Sequence, residues 1–89
     1  MKDCMDDTKL HERIHKAIGQ MQAVDRLIEE DVPCEDILAQ INAARGALHK
    51  VGQIIMDGHL RHCVREGIEK GNADVTIARF AKTLEVFCR

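Results

Sequence analysis

One apolar stripe, running from Ile37 to Gly58, constrains this chain more than any other feature. Ile37, Ile41, Ala44, Leu48, Val51, Ile55 and Gly58 follow one another at spacings of four and three, the period of a helix that buries one side. Asp57-Gly58 is a dipeptide that often marks a turn. The stripe nevertheless stays in phase across it, and a small residue there would let another backbone come close, so one continuous helix is expected. Three side chains that bind soft metals stand at the ends of this stretch: Cys34 at the start, His59 and Cys63 at the finish. At about 100° per residue, His59 falls about 20° short of the Cys34 direction and Cys63 about 20° beyond it, so all three share one side of the helix. A rise of about 1.5 Å per residue separates Cys34 from His59 by roughly 37 Å along that side, and one straight helix cannot close them around an ion. Two such helices lying antiparallel about a two-fold axis near Leu48 can, because Cys34 of one protomer then meets His59 and Cys63 of its partner at two equal sites.

Two shorter helices flank the long one. Asp6, Asp7 and Thr8 offer caps, and Leu10, Ile14, Ala17, Met21, Val24 and Ile28 repeat at helical spacing, which predicts a first helix ending near Glu30. Asp31-Val32-Pro33 stops it, since proline disfavours helix at the residue before it and suits the first turn of the next. Glu35 and Asp36 then place negative charge at the positive end of the new helix dipole. The second helix is expected to run to about Glu66, with Gly67 and Gly71-Asn72 marking the break. Ala73, Ile77, Phe80, Leu84 and Phe87 predict a third amphipathic helix, with Lys82 and Arg89 towards its C-terminal end. No strand pattern, internal repeat or linker interrupts the series, so residues 1–89 read as a single all-α domain.

Composition narrows the function. A chain of 89 residues buries only a modest core by itself, and oligomerisation is a natural supplement. Apolar residues make up 45% of it, yet there is no Trp or Tyr and only two Phe, so the core is aliphatic and suited to helix packing. A net charge of -2 excludes a strongly basic histone-like binder but permits a local basic face. No apolar run approaches the roughly 18 residues of a membrane span, and the N-terminus lacks a signal-peptide core, which points to the cytoplasm. In a reducing compartment the four cysteines are expected to be thiols or ligands rather than a disulfide framework, with Cys4 and Cys88 incidental near the ends. There is no Gly-rich phosphate loop and no Ser/His/Asp set, so nothing indicates an enzyme.

The order of these pieces resembles the copper-sensitive operon repressor (CsoR) family of bacterial metal- and thiol-responsive repressors. The resemblance rests on Arg13, Gly19-Gln20, Cys34, the following Ile37-Leu38-x-Gln40-Ile41, and His59-x-x-x-Cys63, in that order and at matching separations across nearly the whole chain. It implies a three-helix protomer, an antiparallel four-helix dimer core and a dimer of dimers, hence a homotetramer. At the sensing positions, Cys34, His59 and Cys63 match the copper(I) sensors of the family. Two thiolates and one imidazole make a soft, low-coordinate set that selects Cu(I) over hard cations. Nickel/cobalt sensors add a histidine near the N-terminus where this chain has Lys2, and persulfide sensors lack the histidine that His59 supplies. Two departures stand out: Pro33 precedes the cysteine where a Tyr is common, and Arg79 takes the place of a third-helix Glu.

The resemblance also places double-stranded operator DNA against the first helix and the middle of the second, through Arg13, Lys16, Arg45 and Lys50, with Arg26 in reserve. Such a face would read phosphates and DNA shape. Taken from the residues alone, these are ordinary surface charges balanced by Glu12, Asp25 and Glu29. His11, His15, His49 and His62 read as surface residues rather than ligands. The resulting expectation is a cytoplasmic, tetrameric repressor that binds its operator in the apo form and leaves it on Cu(I) binding. The alternatives are a persulfide or electrophile sensor in which Cys34 and Cys63 form an inter-protomer disulfide or polysulfide, and a copper-buffering or chaperone protein that never binds DNA.

Overall fold

Asp6 begins the first helix by accepting a hydrogen bond from the Lys9 backbone N–H at 3.3 Å, which satisfies one of the donors a helix start leaves free. Helix α1 (Asp7–Glu29) follows and ends where Glu30 turns extended. A computed structural model describes residues 6–89, and every regular element in it is helical. Helix α2 (Cys34–Gly58) opens immediately after Pro33, whose carbonyl accepts from the Asp36 N–H at 3.0 Å, with Glu35 and Asp36 in the first turn as the dipole favours. Gly58 keeps right-handed helical torsions (φ -62°, ψ -40°), so Asp57-Gly58 is no turn. The backbone instead widens into a π-helical segment (His59–Val64) and tightens again into α3 (Arg65–Glu69), without a break in the helical path. π-helical turns inside α-helices are rare and cluster at functional sites. Arg61 grips both carboxylate oxygens of Asp57 at 3.0 Å, tying the end of α2 to the first turn of that segment.

The long helical run goes further than its sequence suggests. It passes through Gly67 and stops at Lys70–Asn72, where Gly71 takes φ +84° and the Asn72 N–H reaches back to the Gly67 carbonyl at 2.9 Å. That is the left-handed glycine cap that satisfies the last carbonyls of a helix. Helix α4 (Ala73–Phe87) then begins. Gly67 serves a different purpose from a stop: an added Cβ would collide with the Thr76 side chain, so α4 lies against the helix at a point where only a hydrogen fits.

The helices pack as two compact units, residues 6–54 and residues 55–89. In the first, Leu10 and Ala17 of α1 and Ala44 and Val51 of α2 are the buried apolar residues. In the second, Val64 is the buried apolar residue and α4 packs on the π-helical segment and α3. The expected stripes are only partly covered. Met21, Ile28, Ile41 and Leu48, assigned to the core by their spacing, are exposed, and Leu38 joins them. A chain of this length has too few elements to cover both sides of its helices.

Two glycines provide a test of this packing. Gly67→Ala should lower stability by about 1–3 kcal/mol through the clash with Thr76. Gly46→Ala, at a position with nothing within 4 Å, should raise it by about 0.5–1 kcal/mol. Denaturant unfolding of the two variants beside the parent checks both signs at once.

Candidate metal centre

The sequence puts His59 and Cys63 one helical turn apart, and the structure gives them a shared cavity. It has a volume of about 310 Å³ and is lined by His59, Cys63, Glu66 and Gly67, by Lys70, and by Thr76 and Arg79 of α4. Both candidate donors are half-buried. The His59 ring stacks on Phe80 of α4, with centroids 6.1 Å apart and planes inclined by 28°. That contact holds the imidazole by one flat side and leaves the donor edge of the ring to be used. Sequence spacing marks Phe80 only as a core residue of the third helix; its partnership with His59 depends on how α4 folds back, which no local pattern encodes.

Charges around the cavity are unevenly matched. Lys70 donates to Glu66 at 2.6 Å. That hydrogen bond, with the accompanying charge, holds the Glu66 carboxyl below the usual carboxylate range and raises the Lys70 ammonium above its own. Depression of the acid makes the pair persist at neutral pH and disappear as pH falls through the lowered Glu66 value. Arg79 has no ion pair among the described residues. It stands at the cavity wall with His59 and Cys63.

Cys34 is the first residue of α2, exposed and free. Among the described residues, no three His, Cys, Asp or Glu side chains converge on a point that could hold an ion. Cys63 departs from the expectation that the cysteines are thiols: it is disulfide-bonded, while Cys88 is free and exposed. Only a thiolate binds metal, so the ligand form of Cys63 requires reduction. Once reduced, the donor set suits a soft ion, with His59 and Cys63 able to hold one edge of it. Cys4 and Lys2 lie outside the described residues. His62 is exposed, as its angle on the helix implies.

Arg13, Lys16, Arg45 and Lys50 are all exposed in the unit of residues 6–54, and Arg26 closes α1. Arg45 donates to Asn42 Oδ1 at 3.1 Å, an exposed contact. His11 and His15 flank Arg13 on α1 with ring centroids 6.2 Å apart.

Residues 6–86 match the family described as metal-sensitive transcriptional repressor. The chain belongs to that family. That family is one of transcriptional repressors. A copper-sensing transcriptional repressor, RicR of Mycobacterium tuberculosis, is 41% identical over 59 residues, 66% of this chain, which spans only 62% of that protein's length. Among solved structures, the Cu(I)-bound copper-sensing repressor CsoR of Geobacillus thermodenitrificans superposes with a TM-score of 0.85 at 28% identity, covering 92% of this chain and 85% of that one. The nickel-responsive regulator InrS superposes as well, with a TM-score of 0.84 at 30% identity and 93% of both chains covered. No helix among the described residues is long and apolar enough to cross a membrane.

If Phe80 sets the orientation of the His59 ring, Phe80→Leu should abolish the ring-current shift of the His59 imidazole protons. It should also cost about 0.5–1.5 kcal/mol beyond the change in buried apolar area. Proton NMR of the two proteins, with His59 assigned by its own substitution, measures the first effect directly.

Proposed function

We propose that this repressor senses Cu(I), binding operator DNA as the apo protein and releasing it when Cu(I) occupies a site made of Cys34 from one protomer and His59 and Cys63 from its partner. The observation that carries this reading is the shared cavity of His59 and Cys63, two of the three soft donors held on one turn with the imidazole fixed by Phe80. The third donor, Cys34, opens α2, and an ideal straight helix would hold it roughly 37 Å from the other two. An antiparallel partner supplies it, and the exposed apolar residues Met21, Ile41 and Leu48 furnish a surface on which two copies can meet. Dimers would pair into a homotetramer that presents several copies of the basic face to duplex DNA. The copper-sensing relative and the Cu(I)-bound structure support this choice of metal.

Release requires that the metal bind the low-affinity DNA state better than the high-affinity one. A site that spans two protomers meets this condition simply, since closing it fixes the offset between two long helices and with it the spacing of Arg13, Lys16, Arg45 and Lys50. A second reading is a thiol sensor of persulfides or other electrophiles, in which Cys34 and Cys63 of two protomers join in a disulfide or polysulfide. A copper-buffering protein that never touches DNA fits poorly with membership of a repressor family. The protein is expected to act in the cytoplasm, where a transcription regulator meets its operator.

Binding of the reduced protein to its own promoter region, titrated separately with Cu(I), Ni(II), Zn(II) and a persulfide donor, tests the inducer. Cu(I) should release the DNA at the lowest free concentration; release by the persulfide donor alone would select the thiol sensor. A shared site adds a sharper expectation. Cys34→Ser and Cys63→Ser chains, each defective alone, should regain about a quarter of the parent sites when mixed and reassembled, because half the random dimers carry one intact site of two. Failure to complement would place all ligands within a single chain.

The DNA face makes a separate expectation. Arg13→Ala or Lys50→Ala should weaken promoter binding and reduce its salt dependence by about one unit of slope for each phosphate no longer neutralised, leaving Cu(I) affinity unchanged. Binding isotherms across a salt series measure this.

A further inference from the structure

The charges lining the cavity bear on which ion the site accepts, an inference that rests on the Cys34/His59/Cys63 reading. Glu66 and Lys70 neutralise each other at 2.6 Å, and His59 as a ligand is neutral. Arg79 is then the one cavity-lining charge without a partner among the described residues, so the part of the wall they form carries a net positive charge. Two thiolates and a neutral imidazole around Cu(I) sum to -1, whereas the same donors around Zn(II) or Ni(II) sum to zero. We propose that Arg79 is a specificity-determining residue, whose guanidinium at the cavity wall favours the anionic bis-thiolate complex of a monovalent ion over the neutral complex of a divalent one.

Several features support this assignment. Arginine stays charged at every accessible pH and is weakly hydrated, so it can stand at a partly open wall without losing its charge. Thr76 and the bare backbone of Gly67 bring α4 close enough to place Arg79 on the same cavity as both donors. The partner's half of the site would bring negative charge with it, because Glu35 and Asp36 follow Cys34 in the first turn of α2. Those carboxylates by themselves would favour a divalent ion, and Arg79 is the cation that opposes them. A glutamate at position 79 would have the reverse effect. Arg79 needs no bond to the metal for this role; a unit charge several ångströms away in a partly screened site shifts an equilibrium by about tenfold.

The test compares Cu(I) and Zn(II) affinities of the reduced, assembled protein, each measured by competition with a chromophoric chelator, in the parent, Arg79→Gln and Arg79→Lys. Arg79 is exposed and in no ion pair among the described residues, and far-UV circular dichroism verifies that both variants keep their helices. Arg79→Gln should weaken Cu(I) binding about tenfold while Zn(II) affinity stays level or rises, and Arg79→Lys should restore most of the parent ratio. Added salt should shrink the difference between parent and Arg79→Gln, as expected of a charge near solvent. Equal changes for both ions, or none, would overturn the role of Arg79 while leaving the copper site in place. Failure of the parent itself to bind Cu(I) in a manner abolished by Cys34→Ser would overturn the site and this inference together.

Discussion

The contact between Gly67 and Thr76 is the constraint on which the candidate site depends. A helix can come this close to another only where a side chain is missing, and the collision awaiting any Cβ at Gly67 shows how little room there is. From that contact α4 is set at a fixed height on the helical run. Phe80 then falls one turn beyond Thr76 and meets His59, while Arg79 falls beside it at the cavity wall. Each of these placements is a consequence of helix geometry once the first contact is made. Val64, the buried residue of this unit, sits in the same stretch and gives the contact its apolar support.

Much of this is legible in the residues. The stripe from Ile37 to Gly58 marks α2 correctly, because an amphipathic period is a local property that survives a single glycine. Pro33 and the acids after it fix where the helix begins. Gly67 reads as a stop and is not one, for a physical reason: glycine suits both a helix end and a close approach, and only the neighbour across the gap tells them apart. The neighbour here, Thr76, lies beyond a chain reversal. The π-helical segment leaves no mark either, since His59–Val64 is too short for its wider turn to show as a separate apolar period. His59 and Cys63 can be paired from their spacing alone, whereas Phe80 under the His59 ring and the uncompensated charge of Arg79 need the fold. Met21, Ile41 and Leu48 show a related limit: periodicity says which side of a helix is apolar, not whether the same chain covers it.

The disulfide at Cys63 adds a condition to any metal chemistry. A sulfur in a disulfide carries no negative charge to offer a soft ion, so under the proposed site Cys63 must be reduced before it can serve as a ligand. Under that reading redox state and metal supply act on the same atom: reducing conditions permit metal sensing, and oxidising ones withdraw the protein from it.

The reversal at Lys70–Asn72 carries a consequence for the order in which the molecule is made. Gly71, in its left-handed conformation, turns the chain within three residues, so the partners that form the His59 half of the site are near neighbours along the polypeptide. Closing so small a loop costs little entropy, and short-range contacts of this kind form early in folding. Cys34 has no such advantage under the shared-site reading, since it would wait for a collision between separate molecules. Assembly would then be ordered in time: a nascent chain organises its own imidazole and thiol first, and the concentration of finished protein decides when the remaining donor arrives.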